Sequence, residues 1–163
     1  MSFRCRIFGF PGDAEKRMRQ YISEHDLDGK VDLVDYVEPA AFIATYRTAT
    51  VFVMPTIASP GESTDGLPNV VLEAMACGLP VIASRAAGIP EAIEDDQSGI
   101  LVEPCNPSEL ALAIAKALAD EPLRSRLASV ARRVVQERFD LRKCGDRLYR
   151  TLMDTDNLGP SER

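Results

Sequence analysis

Val51-Phe52-Val53-Met54 is an unbroken apolar run, stopped by Pro55, and Pro80-Val81-Ile82-Ala83 is a second of the same kind. Runs without polar alternation suit strands buried on both faces, as in a parallel sheet. Between them lies a Gly/Ser/Thr/Pro loop over residues 56–66, then a helix beginning near Pro68. Upstream, residues 4–8 read as a short strand ending at Gly9-Phe10-Pro11-Gly12. Asp13 is expected to cap a helix whose Met18, Tyr21, Ile22 and His25 recur on one face. A strand over 30–37 with alternating Val31 and Leu33 follows, then a short helix carrying Phe42, Ile43 and Tyr46.

Downstream, Gly88-Ile89-Pro90-Glu91 opens a short helix, and Ile100-Leu101-Val102 is the last strand. Three helices close the chain. Their apolar stripes are Leu110, Ile114, Ala117; Leu123, Leu127, Val130, Val134; and Leu141, Cys144, Leu148, Leu152. From Asp154 the chain is polar and expected to fray. The alternation predicts an α/β fold, a doubly wound parallel sheet of Rossmann-like type. Residues 1–153 are expected to form one domain, with residues 154–163 as a polar tail. Ligands of such sheets bind outside the carboxyl ends of the strands. That points to the loops 56–66 and 84–90.

The 163 residues are enough to bury a core, and 45% hydrophobic with 27% charged is a soluble globular balance. No apolar run approaches the ~20 residues needed to cross a bilayer, and the start lacks a signal-peptide cleavage pattern. The reading is a cytoplasmic protein. Cys5, Cys77, Cys105 and Cys144 contain no C-x-x-C pair and read as reduced, mostly buried small hydrophobes. With His25 the only histidine, no metal ligand set is expected. A net charge of −6 argues against nucleic acid as a partner. It leaves a phosphate ligand open, since backbone N–H groups at a helix start hold one unaided.

The informative segment is Thr64-Asp65-Gly66-Leu67-Pro68-Asn69-Val70-Val71-Leu72-Glu73. Pro68 suits a first helical turn, and Gly66 lets backbone approach a ligand. The N–H groups of Leu67, Asn69 and Val70 would then face an anion. Asp65 and Glu73 flank that helix start, placed to accept hydrogen bonds from sugar hydroxyls. Proline after an acid is also an ordinary helix start, and Glu73 an ordinary solvated helix residue. Its neighbours Val71, Leu72, Ala74, Met75 and Ala76 suggest a largely buried helix, on which an acid needs a partner.

Residues 51–99 resemble the donor-binding half of the retaining GT-B glycosyltransferases called group 1 or family 4. The resemblance rests on Val51-Phe52-Val53-Met54-Pro55-Thr56, then Asp65-Gly66-Leu67-Pro68, then Glu73-Ala74-Met75-Ala76-Cys77-Gly78-Leu79-Pro80-Val81-Ile82. Gly88-Ile89-Pro90-Glu91 and Gly99-Ile100-Leu101-Val102 extend it, and it is weakest over residues 1–36. It implies transfer of a sugar from a nucleoside diphosphate sugar to a hydroxyl, with retention and without metal or other cofactor. Asp65, as the first acid of the E-x7-E pair, would contact the donor sugar and Glu73 the ribose. Backbone N–H groups over Gly66, Leu67, Pro68 and Asn69 would bind the diphosphate or sugar. Tyr36 and Val37, with Glu38, would frame the nucleobase.

Two departures matter. The first acid is usually Glu, so Asp65 is one methylene short. The family's donor half also opens with a further central strand, a Gly-Arg loop and a Lys-Gly helix start, which have no counterpart before Phe3. The resemblance therefore implies a piece that lacks its first strand, its Arg/Lys phosphate clamp and the acceptor-binding half. The expected partners are a nucleotide sugar and that missing half or a partner chain. The alternative is a non-catalytic nucleotide-sugar-binding or interaction subunit; a sugar-nucleotide epimerase of the same fold fits the acid pair less well. His25 reads as a helix-end cap, and Arg85 as solvated or facing the site. Arg132, Arg133 and Arg138 read as the polar face of a helix, with peripheral contact at the inner membrane face left open.

Overall fold

An apolar run with no polar alternation suits burial on both faces; the second such run achieves it, with Val81, Ile82, Ala83 and Ser84 all buried, whereas Phe52, Val53 and Met54 of the first are half-buried. The computed structural model describes residues 3–9, 12–35, 37–57 and 66–156. Strands and helices alternate as β1 Cys5–Phe8, α1 Asp13–Glu24, β2 Val31–Val34, α2 Pro39–Thr48, β3 Phe52–Met54, α3 Asn69–Ala76, β4 Val81–Ser84, α4 Ile89–Ala92 and β5 Ile100–Val102. Helices α5 Pro107–Ala119, α6 Glu121–Arg138 and α7 Leu141–Asp156 complete the order. Each of the five expected strands is present, and every ladder among the described residues is parallel.

The chain divides into two compact units, Met1–Ala44 and Thr45–Arg163. The larger is built on a sheet ordered β3-β4-β5. Val53 pairs with Ile82, and Ile82 in turn with Ile100. Its core joins Ile82, Ile100 and Val102 from the sheet to Ala113 and Ala117 of α5 and Leu123 and Leu127 of α6. Small residues at 113 and 117 let α5 lie close against the strands, and the leucines of α6 close the layer. Asn106 caps α5 by accepting the Glu109 N–H at 3.1 Å, and Asp120 caps α6 by accepting from Leu123 at 2.9 Å. Each cap is followed within the first turn by proline, Pro107 and Pro122, whose missing N–H is no loss there.

The smaller unit pairs β1 with β2, Cys5 opposite Val31 and Phe8 opposite Val34. Phe8 and Phe42 meet with ring centroids 5.0 Å apart. Ile22 is the buried residue of α1, whereas Met18 and Tyr21 of the expected inward stripe are exposed. A two-stranded ladder offers α1 too little surface to cover the whole stripe. Gly12, not Asp13, occupies the cap position; Asp13 is the first helical residue, where it still complements the positive helix end. His25 does end α1, stacked on Tyr21 at 3.9 Å with Nδ1 2.9 Å from the Tyr21 carbonyl oxygen.

Three further expectations change. None of the four cysteines is buried: Cys5 and Cys105 are exposed, Cys77 and Cys144 intermediate. Cys105 sits in a turn at φ 58°, and Cys77 is the last residue of α3's final turn, so neither is placed on a strand interior. The stripe of α7 lies open, with Leu141, Leu148 and Leu152 at 86%, 61% and 57% exposure. Helix α7 also continues through Asp156, beyond the point where the polar tail was expected to fray.

Helix α3 ends on a paired motif that needs glycine. Gly78 at φ 72° donates to Met75 O, and Leu79 donates to Ala74 O, both at 3.0 Å. That reversal delivers the buried Leu79 and Pro80 into β4. Gly78→Ala puts a Cβ into the left-handed region and is expected to lower stability by about 1–2 kcal/mol. Urea unfolding followed by circular dichroism measures it; an unchanged midpoint would show that the turn tolerates a side chain.

Candidate functional site

The two loops singled out by strand polarity lie at the carboxyl ends of β3 and β4. At the first, Thr56 N–H donates to Met54 O at 3.0 Å, turning the chain sharply at Pro55. Thr56 Oγ1 is buried and accepts or donates no hydrogen bond among the described residues. At the second, Arg85 N–H is held by Val102 O at 2.8 Å and Ala86 N–H by Ser84 O at 2.8 Å. Ala87 then adopts φ 51°, and the chain reaches Gly88. A Cβ on Gly88 would stand 2.7 Å from the Leu67 nitrogen and 3.0 Å from its Cα. The backbone of the 84–90 loop is thus pressed directly against the residue that leads into α3. Glycine is needed at 88 because backbone occupies the space of its side chain.

Helix α3 starts differently from α5 and α6. Pro68, at φ −64° and ψ 124°, is its cap residue and not its first helical residue, and among the described residues no side chain caps the start. Val71 N–H is taken by Pro68 O at 3.0 Å. The earlier N–H groups, including those of Asn69 and Val70, occupy the end of the helix where the backbone dipole favours an anion. Asn69 is exposed and Leu67, Pro68 and Val70 are half-buried, so this start is accessible.

Glu73 lies one turn further along. Val71, Ala74 and Met75 around it are fully buried, which leaves Glu73 on the open face of an otherwise embedded helix. The partner expected for it is present: Tyr46 Oη donates to Glu73 Oε2 at 3.3 Å. Tyr46 is 3% exposed and meets Phe52 of β3 edge to face, at 5.8 Å and 84°. Burial, and after it the charge of Glu73, raises the Tyr46 phenol above its usual value of 10.0, so the hydroxyl keeps its proton and remains a donor. Helical spacing by itself marks Tyr46 only as a core position. A buried phenol needs a hydrogen-bond partner, and that need was the one signal in the sequence for a wider role.

Of the residues proposed for the site, the structure places Gly66, Leu67, Pro68, Asn69 and Glu73 on one helix start. Val37 belongs to the smaller unit, between β2 and α2. Asp65 and Tyr36 lie outside the described residues. Arg85 is engaged elsewhere: its Nη2 lies 2.9 Å from Asp95 Oδ2 and its Nε 3.2 Å from Glu103 Oε1. Asp95 in turn accepts the Leu101 N–H at 2.9 Å, so Arg85 braces the end of β5. Among the described residues no cluster of His, Cys, Asp and Glu has the makings of a metal site.

Residues 2–134 match the family model described as glycosyl transferases group 1. Over 130 residues the chain is 35% identical to the D-inositol 3-phosphate glycosyltransferase of Acidothermus cellulolyticus, an alignment covering 77% of this chain and 28% of that one. The first curated relatives are likewise matched over 28% of their length. Among solved structures, the C-terminal domain of a glycosyl transferase group 1 family protein from Francisella tularensis superposes with a TM-score of 0.70 at 26% identity, over 79% of this chain and 64% of that one. HepE of Anabaena, solved with UDP and glucose, superposes with a TM-score of 0.76 at 25% identity, over 93% of this chain and 40% of HepE.

The Gly88–Leu67 contact gives a direct test of the loop packing. Gly88→Ala drives a methyl group into backbone and is expected to cost about 1–3 kcal/mol of stability. It should also shift the amide resonances of Gly66, Leu67 and Asn69 in a nitrogen–proton correlation spectrum. Unmoved resonances at those three residues would show that the two loops are not pressed together.

Proposed function

The chain belongs to the group 1 glycosyl transferases, and on that premise we propose that it binds the nucleoside diphosphate sugar from which such an enzyme transfers its sugar. The single observation that carries the reading is the bare start of α3 with Glu73 on its open face, at the carboxyl end of a parallel sheet. The diphosphate sits on the N–H groups around Gly66, Leu67 and Asn69, where fixed dipoles also stabilise charge growing on the leaving group. Glu73 accepts the ribose hydroxyls, and Asp65 reaches the hydroxyls of the donor sugar. Tyr36 and Val37 frame the base. HepE, solved with UDP and glucose, supports a donor of this chemical class.

The acceptor is a hydroxyl, and the anomeric configuration is retained. Acceptor binding belongs to a further half or a partner chain. Two observations favour that: the chain spans 28% of the first curated relatives it matches, and the leucine stripe of α7 is open. The protein works in the cytoplasm, at the inner membrane face if the exposed Arg132 and Arg133 meet lipid. No helix of the described residues is long and apolar enough to cross a membrane.

Two measurements test the reading. Glu73→Ala is expected to weaken nucleotide-sugar binding by about 1–3 kcal/mol, the usual loss for hydrogen bonds to a charged group. Calorimetry reads this, and an unchanged affinity in a folded variant removes Glu73 from the site. The purified chain is also expected to bind donor without transferring its sugar to added acceptors. Robust turnover by the chain alone would place the whole reaction within these residues.

A further inference from the structure

The pair formed by Tyr46 and Glu73 is asymmetric in a way that bears on function. The tyrosine is locked: the residue is 3% exposed and its ring is set edge to face on Phe52 of β3. The glutamate is exposed, and a solvated glutamate gains nothing in the folded state from an ordered rotamer. Yet its Oε2 accepts the phenol hydrogen bond at 3.3 Å, while Oε1 accepts none among the described residues. One oxygen is anchored from below, the other is left open towards the solvent side of α3.

We infer that Tyr46 is a positioning residue, whose buried hydroxyl holds the Glu73 carboxylate in the orientation that receives the two ribose hydroxyls of the donor. This rests on the proposed role of Glu73. A carboxylate already held in its bound orientation loses less side-chain freedom when the ligand arrives. The anchoring oxygen remains able to accept a second hydrogen bond, since a carboxylate oxygen has two lone pairs. Tyr46 does not touch the ligand; it acts through Glu73. Satisfying a buried phenol is the alternative role, and it predicts no dependence on the ribose.

Tyr46→Phe separates the two. The ring and its contact with Phe52 stay, and Glu73 is exposed to water, so the variant is expected to fold. UDP, GDP and ADP are titrated into the wild-type chain by calorimetry. The tightest binder is carried forward with its 2′,3′-dideoxy counterpart into Tyr46→Phe, Glu73→Ala and the double variant. The expected result is a three- to tenfold loss of affinity for the ribonucleotide in Tyr46→Phe, with the dideoxy compound unaffected. The double variant should bind no more weakly than Glu73→Ala. Unchanged ribonucleotide binding, equal losses for both nucleotides, or full additivity in the double variant would overturn the positioning role while leaving Glu73 in the site. If Glu73→Ala binds the ribonucleotide as well as wild type does, or if none of the three nucleotides binds, the donor-site reading fails and this inference with it.

Discussion

The larger unit depends on the complete burial of β4. Val81 through Ser84 are enclosed on both faces, and a strand in that position has to satisfy every backbone group through its neighbours. Parallel ladders to β3 on one side and β5 on the other do so. Parallel pairing in turn forces crossover connections, since both strands must begin at the same end. All the turns leaving the sheet therefore gather at one edge. The loop after β3 and the loop after β4 are neighbours because of that constraint, and Gly88 meets Leu67 as its direct expression.

From that edge the chemistry of α3 follows. A helix start normally uses a side chain to satisfy its first N–H groups, as Asn106 and Asp120 do in α5 and α6. At α3 a proline stands in the cap position, and its side chain has nothing to accept with. The helix is otherwise embedded, with Val71, Ala74 and Met75 out of contact with water, so it cannot tilt away to solvate its end. An immobile positive helix end that opens beside two loops suits a diphosphate. In the donor site proposed above, Glu73 on the remaining open face would meet hydroxyls without facing the phosphates at closest range, because it sits one turn inside the helix.

Two apolar surfaces have no cover among the described residues. The leucines of α7 form one; the other includes Ile7, Met18 and Tyr21 of the smaller unit. Both involve amphipathic helices, α7 packing against α6 and α1 against β2. The periodicity that marks an inward face says that the face wants burial. It does not say that the same chain provides it.

That distinction also separates what was legible in the residues from what was not. The strands could be read because unbroken apolar runs such as Val51-Phe52-Val53-Met54, and the alternation of Val31 and Leu33, have few stable alternatives, and strand polarity located the two loops at their carboxyl ends. The Asp65-to-Glu73 spacing and Gly66 ahead of Pro68 were visible too, as local demands of a helix start. Boundaries such as the cap at Gly12, the helical end at Asp156 and the exposure of the cysteines were not, because they depend on how much surface a neighbour covers. The Tyr46–Glu73 bond lies furthest from the sequence: its partners are 27 positions apart, and periodicity marks a residue as buried without naming what its polar atom will meet. The sequence by itself determined the α/β alternation, the parallel sheet and a helix start at the carboxyl ends of its strands, since each follows from local pattern and strand polarity. Only the tertiary structure decided that Leu67 meets Gly88 and that a core phenol holds the site's carboxylate, because both are contacts through space between segments that no local pattern links.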